Sequence, residues 1–487
     1  MSDIKGKDNA GDQVKTDADG KLVSKFMTDA TSIKERLDAV SPSLCLAKWN
    51  QVSLHLPTGL NNSCYHPPLH KIPLDEVQVD VSALHNTSHK KIQRKMMLDG
   101  FRPPECQYCW NIEDTGNLSD RHYRSGEPWA AKDFDKIVNG PWDANVTPSY
   151  VEVNFSHGCN LKCSYCSPQF SSTWEKEIAD FGAYPTSTKH NSPEYFTGDN
   201  KPMPVREYNP YVEAFWEWWP ELYKNLDHFR MTGGEPLMDK NTYRVFDWVL
   251  ANPKPKLILN TTSNFSVDDK LFTKYMDYVT RLCDPDANNV DHFMQYVSLD
   301  TWGEQAEYLR YGLDFNKMWS NVHYFLENVP YKSSLTFIIT MNNLSLTNLH
   351  KLIEAILELR QKYSSTYQRV WFDTPLLRKP DWQSLQIMPA EYAFDLEHIK
   401  EYMNANLETV NTRFKGFKDY EVQRIERDIA WMRNGKDLPV ALVQRHKADF
   451  YKFFNEHDRR RGTNFLKTFP ELSSWWEQCR YFAENNQ

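Results

Sequence analysis

Short apolar runs alternate with longer amphipathic segments from Tyr150 to about residue 376. Runs of five or six residues with few charges predict strands, whereas apolar positions spaced three or four apart predict helices. Strands that alternate with helices are typical of parallel βαβ units. The six predicted strands cover residues 151–155, 228–232, 256–261, 295–300, 335–340 and 369–373.

Six such units predict an α/β fold, arranged as a partial (β/α)6 barrel of the TIM type. In barrels of parallel strands, the loops at the C-terminal strand ends carry the chemistry. The pattern also predicts a helix from residue 172, a helix from residue 268, and helices over 240–250 and 346–363.

The pattern changes on both sides of this region. Residues 1–42 are polar and lack apolar periodicity at their start, which predicts a disordered tail. Residues 377–487 predict a helical C-terminal extension, with helices over 388–403 and 417–431. We therefore expect a tail (1–42), a small cysteine-rich module (43–125), the barrel (145–376) with an inserted loop at 185–209, and the extension (377–487).

Composition narrows the class of protein. The chain has 487 residues, 25% charged and 40% hydrophobic, which is typical of a globular protein of two or three domains. A net charge of −8 argues against non-specific nucleic-acid binding, which needs a basic surface. The N-terminus lacks signal-peptide features, and no apolar stretch approaches the roughly 20 residues of a membrane span. We expect a cytoplasmic protein, in which clustered cysteines bind metal rather than form disulfides.

Three cysteines follow the first predicted strand of the barrel. Cys159, Cys163 and Cys166 have the spacing C-x3-C-x2-C on one short loop. Three thiolates can hold three corners of a cubic iron–sulfur cluster and leave the fourth iron open, whereas structural zinc sites and ferredoxin clusters use four ligands. The spacing therefore predicts a site that binds a substrate or cofactor at the open iron.

This loop resembles that of the radical S-adenosylmethionine enzymes, which carry C-x3-C-x2-C after the first strand and an aromatic residue, here Tyr165, before the third cysteine. The resemblance implies a 4Fe–4S cluster that binds S-adenosylmethionine. It further implies reductive cleavage to a 5′-deoxyadenosyl radical that abstracts hydrogen from a substrate, and packing of Tyr165 against the adenine. The alternative is three unrelated cysteines or part of a zinc site.

Other positions match the family at later strand ends. The segment Gly233-Gly234-Glu235-Pro236 ends the second strand and resembles the GGEP motif, which contacts the amino group of S-adenosylmethionine. The resemblance also implies that Ser298 and Asn264 line the cofactor site and that Arg310 lies near the methionyl carboxylate. The alternative for Arg310 is an exposed position on a helix, and asparagine at a strand end is also a common turn residue.

Four further cysteines lie upstream, at Cys45, Cys64, Cys106 and Cys109. With Gly59 they form C-x13-G-x4-C followed by C-x2-C, which resembles the auxiliary-cluster fold called SPASM, or twitch in its shortened form. Gly59 permits a hairpin that brings Cys45 and Cys64 together. The resemblance implies a second iron–sulfur cluster, although four cysteines with a C-x2-C knuckle also suit structural zinc. We expect Cys283 and Cys479 to be inert.

Together these features predict a radical S-adenosylmethionine enzyme of a peptide- or cofactor-modifying type. The resemblance implies a ribosomally made peptide as the first candidate substrate, with small carbohydrates and nucleotides left open, and flavodoxin or ferredoxin as a candidate electron donor. We expect no membrane partner and no nucleic acid. The alternative is a non-catalytic iron–sulfur or zinc protein with a redox or interaction role, in which His157 supplies a fourth ligand.

Overall fold

The computed structural model describes most of the chain. The parts of the predicted tail at 1–13 and 17–21, and parts of the predicted loop at 185–209, lie outside the described residues. The described residues are 14–16, 22–188, 191–192, 197–205 and 207–485.

The described residues contain thirteen strands, of which most in the central region are parallel. In chain order they are β1 (Val14–Thr16), β2 (Leu22–Ser24), β3 (Gln51–His55), β4 (Leu60–Asn62), β5 (His70–Lys71), β6 (Tyr150–Asn154), β7 (Lys162–Cys163), β8 (His228–Thr232), β9 (Ile258–Ser263), β10 (His292–Ser298), β11 (Arg310–Tyr311), β12 (Ser333–Ile338) and β13 (Val370–Asp373).

Twenty α-helices connect and cover these strands within the described residues. They are α1 (Lys25–Asp38), α2 (Ala47–Asn50), α3 (Leu74–Val79), α4 (Ser88–Leu98), α5 (Gln107–Glu113), α6 (Asp120–Gly126), α7 (Pro128–Ala131), α8 (Phe134–Asn139), α9 (Ser172–Phe181), α10 (Pro210–Asn225), α11 (Lys240–Ala251), α12 (Asp269–Leu282), α13 (Gly303–Leu309), α14 (Phe315–Asn328), α15 (Leu346–Tyr363), α16 (Ala393–Ala405), α17 (Asp419–Arg433), α18 (Val440–Arg461), α19 (Phe465–Thr468) and α20 (Ser473–Asn485).

The chain divides into two compact units. The first unit consists of residues 1–156, 202–261 and 282–293, and the second consists of residues 157–201, 262–281 and 294–487. The strands β9 and β10 begin in the first unit and end in the second.

In the first unit the hydrogen-bonded neighbours follow the order β5-β4-β3-β6-β8-β9-β10. The strands β3, β6, β8 and β9 run parallel, with Val151 of β6 placed between Val52 of β3 and Phe229 of β8. All three of these side chains are fully buried. Strands with buried residues on successive positions are typical of a parallel sheet that helices cover on both faces.

The hairpin predicted at Gly59 is present. β3 and β4 pair antiparallel, and Gly59 lies in the turn between them with φ +64°. A Cβ at this position would lie 2.1 Å from a ring carbon of Tyr211, so the turn needs glycine both for its backbone angle and for the approach of this ring.

In the second unit the order continues as β10-β12-β13, and Leu335 of β12 is paired in parallel with Val370 of β13. Helix α15 covers this part of the sheet with Leu349, Ile353 and other buried apolar residues. The C-terminal helices α16 and α17 overlap the two helices predicted in the extension, and α18 packs on α20.

The α/β fold and its mostly parallel strands are as predicted. Each of the six predicted barrel strands overlaps a strand of the structure, from β6 to β13, while closure into a partial barrel stays a prediction. Two features differ from expectation. The predicted cysteine-rich module contributes β3, β4 and β5 to the sheet order, and helix α1 occupies residues 25–38 within the predicted tail.

Within the described residues, no helix combines the length and the apolar character that a membrane-spanning segment requires.

Candidate metal centres

The loop that follows β6 carries the three cysteines predicted as cluster ligands, and residues 159–166 are called the cysteine loop below. Its three cysteines are half-buried. The two-residue strand β7 pairs antiparallel with β11, which places Cys163 opposite Arg310. The backbone N–H of Ser164 donates to Leu309 O at 2.7 Å, so this pairing fixes the middle of the loop.

Polar groups already contact two of the sulfur atoms in this loop. The N–H of Leu161 donates to Cys159 Sγ at 3.4 Å, and Arg310 donates to Cys163 Sγ at 3.6 Å. Burial raises the pKa of Cys163, against the effect of Arg310, and raises the pKa of Cys166 to about 12. A bound metal lowers such values because it stabilises thiolates, so this donor set fits a group that supplies positive charge.

Arg310 is the centre of a buried network in the second unit. One of its amino groups donates to Asp300 Oδ1 at 2.9 Å, and Tyr165 donates its hydroxyl to Asp300 Oδ2 at 2.7 Å. Arg310 is only 6% exposed, so its alternative assignment to an exposed helix position is wrong. Its Nε atom has no hydrogen-bond partner among the described residues, and one donor therefore remains for a further acceptor.

Residues of the C-terminal extension form hydrogen bonds with the cysteine loop. The sequence pattern did not predict this role. The Ser164 hydroxyl donates to Gln383 Oε1 at 2.8 Å, and Gln383 Nε2 donates to Ser164 O at 3.1 Å. Arg461 at the end of α18 donates to Lys162 O at 2.8 Å and pairs with Glu177. These contacts join segments far apart in the chain, so local periodicity carries no signal for them.

Glu177 is the buried carboxylate of this support. It accepts from Tyr184 at 2.5 Å and forms ion pairs with Lys162 and Arg461. Burial by itself would raise the pKa of Glu177, but Arg461, Lys162 and Tyr184 together lower it to about 2. The carboxylate is therefore charged at neutral pH and forms ion pairs with both Lys162 of the loop and Arg461 of the extension.

The segment Gly233-Gly234-Glu235-Pro236 forms a tight turn at the end of β8 in the first unit. Gly233 has φ +119°, and a Cβ there would lie 2.0 Å from Asn154 Oδ1. Gly234 donates its N–H to Ser156 O at 3.2 Å, while Glu235 is buried and its side chain accepts from the N–H of Leu237 at 3.1 Å. Pro236 begins a short 3₁₀ turn.

Asn154 Oδ1 beside this turn is buried and has no hydrogen-bond partner among the described residues. A buried acceptor of this kind costs free energy unless a donor reaches it. The turn thus combines a close backbone approach with an acceptor that can receive a hydrogen bond from an ammonium group.

The two remaining predicted cofactor residues lie at strand ends. Ser298 is the last residue of β10 and is half-buried. Asn264 follows β9, donates to Asn160 Oδ1 in the cysteine loop at 2.8 Å, and accepts from the N–H of Ser266 at 2.8 Å. Asn264 therefore positions the loop, whereas a contact of either residue with a cofactor stays a prediction.

The four upstream cysteines line one pocket in the first unit, called the upstream pocket below. Lys48 and Arg121 line the same pocket. Cys45 precedes α2, Cys64 follows β4, and Cys106 and Cys109 lie at the start of α5. The hairpin and the C-x2-C segment thus meet, although they are about 40 positions apart in the sequence.

Hydrogen-bond donors contact three of these four sulfur atoms. The N–H of His66 donates to Cys64, Lys48 donates to Cys106, and the N–H of Arg121 donates to Cys109, while the nearby Ser119 hydroxyl donates to Glu113 Oε1 at 2.5 Å. Burial raises the pKa of Cys64 and Cys109 to about 12 and that of Cys106 to about 11. N–H donors around buried cysteines are the environment in which metal-bound thiolates are stabilised.

Within the described ranges, no three His, Cys, Asp or Glu side chains are arranged to hold one metal ion. A tetrahedral zinc site with Zn–S bonds of about 2.3 Å would require S···S separations of about 3.8 Å.

Three other residues named in the sequence analysis lie elsewhere. Cys283, at the end of α12, and Cys479 in α20 are buried. His157 is also buried and its Nε2 is 2.9 Å from Glu175 Oε2. The carboxylate thus occupies one ring nitrogen of the histidine that the non-catalytic alternative requires as a ligand.

Comparison with known proteins gives weak structural likenesses. No family model and no curated protein matches the sequence. The solved structures that are similar include SuiB of Streptococcus suis bound to S-adenosylmethionine, at 12% identity over 69% of this chain and 65% of that chain, with a TM-score of 0.32.

Two further structures of SuiB are similar to the same degree. SuiB bound to the precursor peptide SuiA has 14% identity over 68% of this chain and 58% of that chain, with a TM-score of 0.31. A structure of SuiB without a named ligand has 12% identity over 75% of this chain and 69% of that chain, with a TM-score of 0.32. The chain therefore spans less than two thirds of the first two, and a likeness at this level is too weak to transfer a function.

Proposed function

We propose that this chain is a radical S-adenosylmethionine enzyme. The observation that carries the proposal is the cysteine loop, in which three half-buried cysteines follow a parallel strand and Arg310 donates to Cys163 Sγ. Three cysteines leave a cubic cluster with one open iron, which is a place for a ligand rather than a structural closure. The tight turn Gly233-Gly234-Glu235-Pro236 at the end of β8, the strand that pairs in parallel with β6, supports the same conclusion.

Each element of the chain has a distinct part in this proposal. Cys159, Cys163 and Cys166 would hold a 4Fe–4S cluster. Such a cluster, given one electron, would supply cleavage of S-adenosylmethionine to methionine and a 5′-deoxyadenosyl radical, which would abstract hydrogen from the substrate. Arg310 stabilises the thiolate of Cys163 and offers its free Nε to an anionic acceptor such as a carboxylate. Glu235 and the backbone of Gly233 and Gly234 accept from an ammonium group.

For the upstream pocket we propose a second iron–sulfur cluster held by Cys45, Cys64, Cys106 and Cys109. The four cysteines line one pocket, and three of them already accept hydrogen bonds. The resemblance of their spacing to auxiliary-cluster modules favours an iron–sulfur cluster over structural zinc. The closed set of four ligands makes this a structural or electron-relay site.

For the substrate we propose a ribosomally made peptide, which follows from the resemblance of the cysteine motifs to those of peptide-modifying relatives. The electron that starts the reaction would come from a small redox protein such as flavodoxin or ferredoxin. A site that consumes one electron per cleavage needs such a donor.

Detection of 5′-deoxyadenosine tests the proposal. The protein is reconstituted anaerobically with iron and sulfide, reduced, and given S-adenosylmethionine. We expect 5′-deoxyadenosine from the wild type and from Cys283→Ala, a buried cysteine outside both sites. Cys163→Ala should form none. Equal amounts from the wild type and Cys163→Ala would overturn the assignment.

A further inference from the structure

Three buried cationic side chains lie on the elements that surround the upstream pocket. Lys48 is 2% exposed, while Lys90 and Arg94 are 0% exposed. Lys48 belongs to α2, and Lys90 and Arg94 belong to α4. Lysine and arginine are almost never fully buried without a partner of opposite charge, because removing a charge from water costs several kcal/mol.

Carboxylates balance only part of this charge. In the described part of the chain, Glu105 is the one carboxylate that forms an ion pair with any of the three, through Lys48. Glu105 also lies 2.8 Å from His89 Nε2, so its charge is shared. Two other basic residues that line the pocket each have a carboxylate partner of their own. Arg121 pairs with Glu113 and Arg124 pairs with Glu127, each at 2.9 Å.

Lys90 and Arg94 have only neutral partners. Lys90 Nζ donates to His85 Nδ1 at 2.8 Å, and the same ring is 2.6 Å from Trp49 O through Nε2. Arg94 donates to Asn86 Oδ1 at 2.9 Å and to Lys48 O at 3.3 Å. These bonds satisfy the donors, and among the described residues neither side chain forms an ion pair with a carboxylate.

Glu105 and the upstream cysteines are the acidic groups that attract Lys48 and Lys90. Burial and the neighbouring Arg94 and Lys48 lower the pKa of Lys90 well below its usual value. Lys48, which lines the same pocket as the four cysteines and pairs with Glu105, is therefore a cation placed directly beside them. Neutral thiols cannot balance this charge, whereas four thiolates around an iron–sulfur core carry a net negative charge. The protein thus provides positive charge at the place where a metal-loaded group would be anionic.

We propose that Lys48 is a positioning residue that holds the upstream cluster as an anion and raises its reduction potential. The inference rests on the auxiliary cluster of the proposed function and specifies how this chain tunes it. Reduction adds one negative charge, and nearby positive charge in a dry site stabilises the reduced form more than the oxidised form.

The test uses full-length protein with Cys159→Ala, Cys163→Ala and Cys166→Ala, so that only the upstream cluster contributes a signal. In this background the midpoint potential is measured by a redox titration followed by electron paramagnetic resonance. We expect Lys48→Met to lower the equilibrium constant for reduction at least tenfold, which is about 59 mV for one electron. Lys48→Arg should keep the original potential.

Two further variants separate charge from structure. Glu105→Gln removes the negative partner and should shift the potential upward, opposite in sign to Lys48→Met. Lys95→Met removes a lysine from the same helix as Lys90, but its side chain is 46% exposed and should leave the potential unchanged. If Lys48→Met fails to load iron, the direction of the shift in Glu105→Gln decides the question.

The outcomes distinguish this inference from the proposal on which it rests. If iron and sulfide are present but the potentials of the Lys48→Met and Glu105→Gln variants are unchanged or shift in the same direction, the tuning role is overturned and the auxiliary cluster stands. If the background protein holds zinc without iron, both the auxiliary cluster and the tuning role are overturned. Cleavage of S-adenosylmethionine by the intact cysteine loop would be unaffected by either result.

Discussion

Asp428 in α17 is a buried carboxyl group whose charge is costly in the folded protein. Its side chain is 0% exposed, and it accepts hydrogen bonds from the neighbouring Arg427, which is half exposed, and from Thr374. Burial raises the pKa of Asp428 to about 6, although Arg427 opposes the shift. At neutral pH the folded chain therefore carries an anion that the unfolded chain solvates better.

We predict that Asp428→Asn stabilises the protein at pH 8 and has little effect near pH 4. Because the folded pKa lies above the unfolded value, the contribution of Asp428 to stability is present below about pH 4 and is lost as pH rises through 6. The difference between a folded pKa of about 6 and the usual value of 3.8 corresponds to a gain of up to about 3 kcal/mol for the variant. Chemical unfolding at both pH values measures it.

The control for this prediction is Asp437→Asn, which removes an exposed carboxylate close by in the chain. It should not alter the difference in stability between pH 4 and pH 8. A stabilisation by Asp428→Asn that is equal at the two pH values would show that packing, rather than proton uptake, is the cause.

At the scale of elements, the cysteine loop is a short irregular segment that other elements fix at several points. The β7–β11 pairing holds Cys163 opposite Arg310, and Trp174 of α9 donates to Cys163 O at 2.9 Å. Arg461 reaches the loop across 299 positions of sequence. A loop fixed in this way presents its cysteines with little conformational entropy left to lose on binding a cluster.

The hairpin of β3 and β4 is the element that leads to Cys64, and its turn depends on Gly59. We predict that Gly59→Ala destabilises the protein by more than the roughly 1–2 kcal/mol that a left-handed backbone costs an alanine. The added methyl group would meet the ring of Tyr211 at 2.1 Å. Urea unfolding gives the change in free energy, and iron counting shows whether the upstream pocket still loads.

Gly100→Ala is the matched control, because Gly100 has φ +83° but no atom lies within 4 Å of the place that an added methyl group would take. It should show the backbone cost alone. Equal losses for the two variants would mean that Tyr211 moves aside without cost, and that the close approach does not restrict this turn.

At the scale of the whole molecule, the C-terminal extension is an integral part of the second unit. Arg360 of α15 and Glu421 of α17 form a fully buried ion pair, with hydrogen bonds of 2.6 Å and 2.9 Å. Arg360 also donates to Val370 O in β13 and to Gly416 O, each at 2.9 Å. One guanidinium therefore joins a sheet strand, its covering helix and the extension.

We predict that Arg360→Met destabilises the protein by about 3–5 kcal/mol, because it leaves Glu421 buried without a counter-charge. The double variant Arg360→Met/Glu421→Met should recover much of this loss. A double-mutant cycle from unfolding free energies measures the coupling. Lys362→Met on the same helix removes an exposed charge and should have no measurable effect.

Strictly additive effects in this cycle would contradict the prediction. They would mean that α17 is held to α15 by apolar packing alone and that the ion pair is incidental.

Local patterns determined much of this protein. Strand and helix positions follow from the spacing of apolar residues, and α15 begins and ends where the pattern predicts. The cysteine spacing and the turn at Gly59 are equally local, since both depend on residues a few positions apart. For these features the sequence is sufficient because the interactions that produce them lie within one element or one turn.

Tertiary structure decided what surrounds those local features. The placement of β3 beside β6, the contact of Arg310 with Cys163 and Asp300, and the burial of Lys48 beside Cys106 all join distant segments. Long-range pairing depends on how whole elements pack, which no local period encodes. The residue types thus predicted which groups could bind metal, while packing decided which charges and hydrogen bonds surround them.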